Sequence, residues 1–217
     1  MERYRTMTNM ATEMLREKLL VGDLAPGTRL IPAELEETLN LGRMAIREAL
    51  KELTGSGLVI QQANKGMCVA PPPSISELHA LFDARCALEG KTAAVAAANI
   101  GEAGIADLEK LYEEMAVEGR KPIEYFLVNR KFHLLLYQIS GWKHAVVCIT
   151  HMLDQVLSYF GPYASRIHLD FAEFNKEHRL ILDAINEKKL DEVHELTVAN
   201  INHGRNFMCS LEKIPDK

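Results

Sequence analysis

The chain has 217 residues, 47% of them hydrophobic and 25% charged, with a formal net charge of −5 at pH 7. That balance supports a packed core and excludes a chain that is disordered throughout. No run reaches the ~18 apolar residues of a membrane span, and the N-terminus leads into no apolar signal segment. Cys68, Cys86, Cys148 and Cys209 are scattered without a metal or disulfide spacing, so a reduced, cytoplasmic protein with no membrane partner is expected.

The charge is uneven. Residues 1–70 carry nine Lys/Arg and nine Asp/Glu, and all eight histidines lie at or after His79. Two segments of different chemistry predict two domains. Residues 1–70 form the first, the Pro-rich stretch 71–75 is a stiff linker, and residues 76–217 form the second.

In chain order, Met10, Met14, Leu15 and Leu19 predict a first helix over 10–20. Val21-Gly22-Asp23 ends it, and Pro26-Gly27 marks a turn. A short helix is expected over 32–39, with Pro32 in its first turn. Asn40-Leu41-Gly42 breaks the chain before a helix over 43–56 with Ile46, Ala49, Leu50 and Leu53 on one face. Strands over 58–60 and 67–70 flank a tight turn at Ala63-Asn64-Lys65-Gly66. This is the order of a winged helix-turn-helix, whose second turn helix can enter a DNA major groove. Arg43, Arg47 and Lys51 share that helix's polar face, and Lys65 beside Gly66 sits at the wing tip. Three cations at helical spacing also describe an ordinary solvated face; turn, wing and placement together favour double-stranded DNA.

Residues 10–70 resemble the DNA-binding domain of the GntR family of bacterial transcription regulators. The matching residues include Gly22, Pro26-Gly27-Thr28-Arg29-Leu30, Arg43, Arg47-Glu48-Ala49-Leu50, Gly57-Leu58-Val59 and Gly66. The resemblance implies DNA contacts from Arg29, Arg43, Arg47 and the wing at Lys65-Gly66, with Lys51 beside them. Where the family usually has Ser and Thr, this chain has Gly42 and Met44. Gly42 offers no side-chain cap. Met44 donates no hydrogen bond but can touch a thymine methyl, so a divergent operator is expected.

The second domain reads as six helices, about 75–99, 103–118, 122–140, 143–160, 165–187 and 190–212, with short connections. Together the halves predict a mainly α fold, a winged helix followed by an all-α antiparallel bundle. Asn129 and His133 (i, i+4), His178, and Asn200 with His203 (i, i+3) fall where a metal site or a polar ligand pocket could form. Hydrogen-bonded core or surface histidines are the bland alternative. Arg85 can pair a carboxylate ligand or simply Glu89 at i+4. Trp142, Cys86, Cys148, Met7, Met10 and Met14 read as packing residues, and His144, His151, His168 and His194 show no shared geometry.

The bundle resembles the FCD effector-binding domain of the FadR subfamily, on Arg85-x-x-Leu88-Glu89, Asn129-x-x-Phe132-His133 and Glu177-His178-Arg179. Many such domains hold a divalent metal such as zinc through one Asp and three His. Here those positions match Asn129, His133, His178 and Asn200, so two of the four depart from the pattern, and His203 could substitute only with a register shift. A metal-free pocket for an organic effector, with Arg85, Asn129, His133, His178 and Asn200 as its ligands, is the competing expectation. The resemblance implies a homodimeric one-component regulator, expected to be a repressor, bound to a pseudo-palindromic operator and controlled by a carboxylate metabolite. A helical metalloenzyme with an accessory winged domain and a protein–protein adaptor are the alternatives.

Overall fold

The computed structural model describes residues 2–117, 119–168 and 170–213. The chain divides into two compact units. One runs to Pro73 and takes in Asp154–Pro162; the other comprises Ser74–Leu153 and the chain from Tyr163 on. The first boundary follows Pro73, and a second crossing, at Asp154–Pro162, was not expected.

The first unit holds α1 (Glu2–Leu20), α2 (Pro32–Leu39), α3 (Arg43–Gly55), β1 (Val59–Gln62) and β2 (Gly66–Val69). The strands pair antiparallel, Val59 opposite Val69 and Gln62 opposite Gly66. The segment Thr28–Leu30 adds to the free edge of β2: Leu30 N–H donates to Met67 O at 2.8 Å and Val69 N–H to Thr28 O at 2.9 Å. On α3, Ile46, Ala49, Leu50 and Leu53 are fully buried, as their spacing predicts. On α1 the buried stripe is Ala11, Leu15 and Leu19, at i, i+4, i+8. Met10 and Met14 are instead 51% and 37% exposed. They lie ~100° round the helix from that stripe, so their size suggested packing that their position does not provide. The helix also begins eight residues earlier than predicted.

The second unit holds α4 (Ile75–Asn99), α5 (Glu102–Met115), α6 (Pro122–Ile139), the start of α7 (Lys143–Phe160), α8 (Phe171–Asn186) and α9 (Leu190–Ser210). Ser74 opens α4 with a full capping box to Glu77. Helix α8 starts later than predicted because Gly161–Arg166 forms a 3-10 helix and the Asp170 carboxylate caps Glu173 N–H at 3.1 Å. Glu118, the expected end of α5, and residues 214–217 lie outside the described residues. Helix α4 packs along α9 and α6, and α8 packs on α5 and α9. Phe82, Leu108, Phe132, Leu136, Ile181 and Ile185 form the core; each such side chain, fully buried, contributes about 1.5–3 kcal/mol. Cys148, expected in the core, is exposed on α7, and Trp142, expected as a packing anchor, is 44% exposed just before that helix. Among the described residues no helix is long and apolar enough to cross a membrane.

Candidate functional site

In the first unit, the expected DNA contacts share one description: exposed and weakly held. Arg43, Met44, Arg47 and Lys51 are exposed on α3, Lys65 is exposed at the turn between the strands, and Arg29 is exposed on the added edge segment. That turn needs left-handed backbone at Asn64 (φ 63°) and Gly66 (φ 81°), conformations that Asn and Gly adopt most readily. Arg43 pairs with Glu36 at 2.9 Å and Lys51 with Glu48 at 2.7 Å, both in solvent. Such pairs contribute about 0–1 kcal/mol, so a phosphate can displace them. Among the described residues no carboxylate pairs with Arg29, Arg47 or Lys65. Gly42 is the N-cap of α3 and supplies no side-chain bond, as the sequence predicts. The first N–H groups of α3 therefore remain open to an anion.

The second unit shows the opposite. Its polar groups are largely buried and lie within hydrogen-bond distance of one another in a row across three helices. Arg85 on α4 donates to Glu89 through Nε at 2.7 Å and Nη2 at 3.2 Å. The Tyr137 hydroxyl on α6 donates to Glu89 Oε2 at 2.9 Å and lies 3.2 Å from His133 Nδ1. His133 Nε2 is 3.2 Å from His178 Nε2, which is 2.7 Å from the Asn129 amide. Since Tyr137 gives its proton to a carboxylate, its oxygen is the acceptor for His133 Nδ1–H. That tautomer leaves the His133 Nε2 lone pair facing His178.

Arg85, Glu89, His133, Tyr137 and His178 are all less than a tenth exposed. Burial lowers the His133 pKa well below its ordinary value, with the neighbouring His178 and Arg85 adding to the effect, while the nearby Asn200 side chain opposes it weakly. Burial takes His178 down to about 4, and the Phe174 carbonyl, which forms no well-aligned bond to Nδ1, does not offset it. Both imidazoles are therefore neutral at pH 7. Burial followed by the Glu89 charge holds the Tyr137 hydroxyl protonated. The Phe132 ring meets both imidazoles edge-on, with centroids 5.5 and 5.2 Å away, and walls that side.

The structure thus brings Asn129, His133 and His178 together and joins Arg85 to them through Glu89 and Tyr137. Asn200 is split between two neighbours: it sits beside His133, while its amide donates to Glu177 Oε2 at 2.9 Å. His203 does not join the imidazole pair. It bonds Glu177 Oε1 at 3.1 Å and stacks on Phe174. Sequence reasoning missed Tyr137 and gave Glu89 and Glu177 no role in the site. The Asn129, His133, Tyr137 spacing of four and four was a readable signal for the first.

The fit to a divalent ion follows from the same donor set. Among the described residues no three His, Cys, Asp or Glu side chains converge as a metal cradle. The Asn129 amide lies 2.7 Å from His178 Nε2, and the Asn200 amide is turned to Glu177. Two imidazoles with two neutral carboxamides, and no anionic ligand, fit a resident zinc ion poorly.

An exposed cationic winged helix followed by a bundle with a buried polar interior defines a class: a DNA-binding unit joined to a small-molecule sensor. Comparison with known proteins narrows it. Residues 7–69 match the family described as bacterial regulatory proteins, gntR family, and residues 80–203 match the FCD domain. The HTH-type transcriptional repressor RspR of Escherichia coli (strain K12) is 30% identical over 194 residues, 84% of this chain and 85% of that protein. The Glc operon transcriptional activator of the same strain is 26% identical over 205 residues, 83% of this chain and 80% of that protein. The solved structure of E. coli McbR/YncC superposes with a TM-score of 0.81 at 22% identity, covering 93% of this chain and 96% of that one. The chain belongs to the gntR family, in the division that carries an FCD domain. It is a transcription regulator with a helix-turn-helix and an effector-binding domain, and the matches favour neither a metalloenzyme nor an adaptor.

Proposed function

We propose that the chain is a cytoplasmic homodimeric repressor that releases a pseudo-palindromic operator when a small carboxylate metabolite enters the bundle. The observation that carries this reading is the contrast between displaceable cations on α3 and the buried chain from Arg85 to Asn129. Arg43, Arg47 and Lys51 face the major groove, Met44 lies against a thymine methyl, and Arg29 with the Lys65-Gly66 tip flanks them on the backbone. One chain offers one recognition helix, so a two-fold operator asks for two chains.

In the bundle, Asn129, His133, His178 and Asn200 are the direct effector ligands. Their N–H groups can donate to a carboxylate, and an anion there favours the charged imidazoles that burial now suppresses. Arg85 is already held on two nitrogens by Glu89. It therefore supplies positive potential behind the ligands rather than a direct contact. The reading needs no resident divalent ion. The named repressor RspR supports repression as the sign.

Native mass spectrometry of the purified full chain tests this, with a duplex that the protein selects from a randomised library. The expected species is two chains per duplex, free of metal. One divalent ion per chain would overturn the organic pocket, and one chain per duplex would overturn the dimer.

A further inference from the structure

The C-terminal stretch of α7 belongs to the first unit, and its attachments there are specific. Arg16 of α1 is 6% exposed and Asp154 of α7 is fully buried, and Arg16 Nε donates to Asp154 Oδ2 at 2.9 Å. The same guanidinium pairs with Glu13 and reaches Glu52 of α3 at 3.9 Å. Glu52 is also held by the Thr12 hydroxyl of α1 at 3.0 Å, and Thr12 is itself buried.

One residue on, Gln155 donates to the Ser56 carbonyl, just past the end of α3, at 2.8 Å. At Gly57 the chain turns with φ +76°, and a Cβ there would meet Gln155 Nε2 at 2.9 Å. At Gly161 a Cβ would stand 2.9 Å from the carbonyl oxygen of Leu20. That neighbour is backbone and cannot step aside, so only glycine allows the approach. Three attachments, to α1, to the end of α3 and to the end of α1, come from one segment of eight residues.

We infer that Asp154 is a positioning residue for DNA binding: through Arg16 and Glu52 it sets α1 against the recognition helix, and residues 154–162 act as a further helix of the winged domain. The physical reason is the buried charge. A guanidinium taken out of water needs an anion in good geometry, and Asp154 supplies it where Glu13 and Glu52 are solvent-exposed. Glu52 stands one residue from Lys51 on α3, so the anchor acts on the element that carries the DNA contacts. The inference rests on the winged unit binding DNA, and wild-type binding is the control for that.

The experiment measures affinity of the full chain for its library-selected duplex, with thermal midpoints alongside, for D154N and for the paired replacement R16M/D154L. The second variant keeps the volume of the pair without its charge, and such swaps commonly preserve stability. The expected result is a tenfold or greater loss of affinity in D154N. In R16M/D154L the midpoint should recover toward wild type while the affinity stays low, because the link from Arg16 to Glu52 stays absent. Wild-type affinity in D154N would overturn the inference. So would recovery of both midpoint and affinity in R16M/D154L, which would make the pair a packing element only. If D154N does not fold, the paired variant decides alone. If wild type itself selects no duplex, the DNA-binding reading fails rather than this one.

Discussion

The two units solve opposite electrostatic problems. In the winged unit Arg43, Arg47 and Lys51 stand in solvent, where the carboxylate partners of Arg43 and Lys51 are held loosely. In the bundle Arg85, Glu89, Tyr137, His133 and His178 are out of water, and each is held by the next. The surface set is built to exchange partners with a polyanion at little cost. The buried set is expensive to disturb, so a ligand that disturbs it changes the state of the bundle. A regulator needs both: a reversible grip and a sensor whose occupancy has energetic consequence.

The contrast can be broken at several points. The largest effect is expected from Glu89→Ala, which strands the Arg85 charge in the bundle. Loss of one partner of a buried pair costs about 3–5 kcal/mol. Urea unfolding should show the loss, and a variant within 1 kcal/mol of wild type would mean that Arg85 reaches water.

The imidazoles come next. Their folded pKa values lie below the unfolded value near 6.5, so the unfolded chain binds more protons as the pH falls. Stability is therefore complete above about pH 6.5 and declines toward pH 4, by up to about 1.4 kcal/mol per pH unit for each imidazole. His178→Asn should flatten that decline between pH 7 and 5. An unchanged slope would place the titration elsewhere.

On the surface, Arg47→Ala should cost about 1–3 kcal/mol of duplex binding while shifting stability by no more than ~0.5 kcal/mol. A mobility-shift titration beside a melting curve separates the two. The smallest effect is Gly42→Ser, which restores a side-chain cap to α3 and should stabilise the winged unit by a few tenths of a kcal/mol.

Legibility in the sequence divides along the same line. The cationic face of α3 could be read because i, i+4, i+8 spacing on an amphipathic helix places Arg43, Arg47 and Lys51 on one face without any distant information. The six bundle helices were readable for the same reason, since short Gly and Pro breaks separate long periodic runs. The bundle interior was less so. Asn129, His133 and His178 were found, but which groups meet across helices depends on the packing of α4, α6, α8 and α9. That packing gives Glu89 to Tyr137 as well as to Arg85, and turns Asn200 and His203 to Glu177. The return of Asp154–Pro162 to the first unit left its trace only in Gly57 and Gly161, which read as ordinary helix breaks.

The central claim is that the exposed cations of α3 hold DNA. Its most direct test is the affinity of the full chain for its selected duplex as a function of salt, beside the double variant R43A/R47A. The account predicts that log affinity falls steeply with log salt for wild type, as counterion release requires, and that the double variant binds weakly at every salt concentration while melting like wild type. A double variant that binds as tightly as wild type across the series would contradict it.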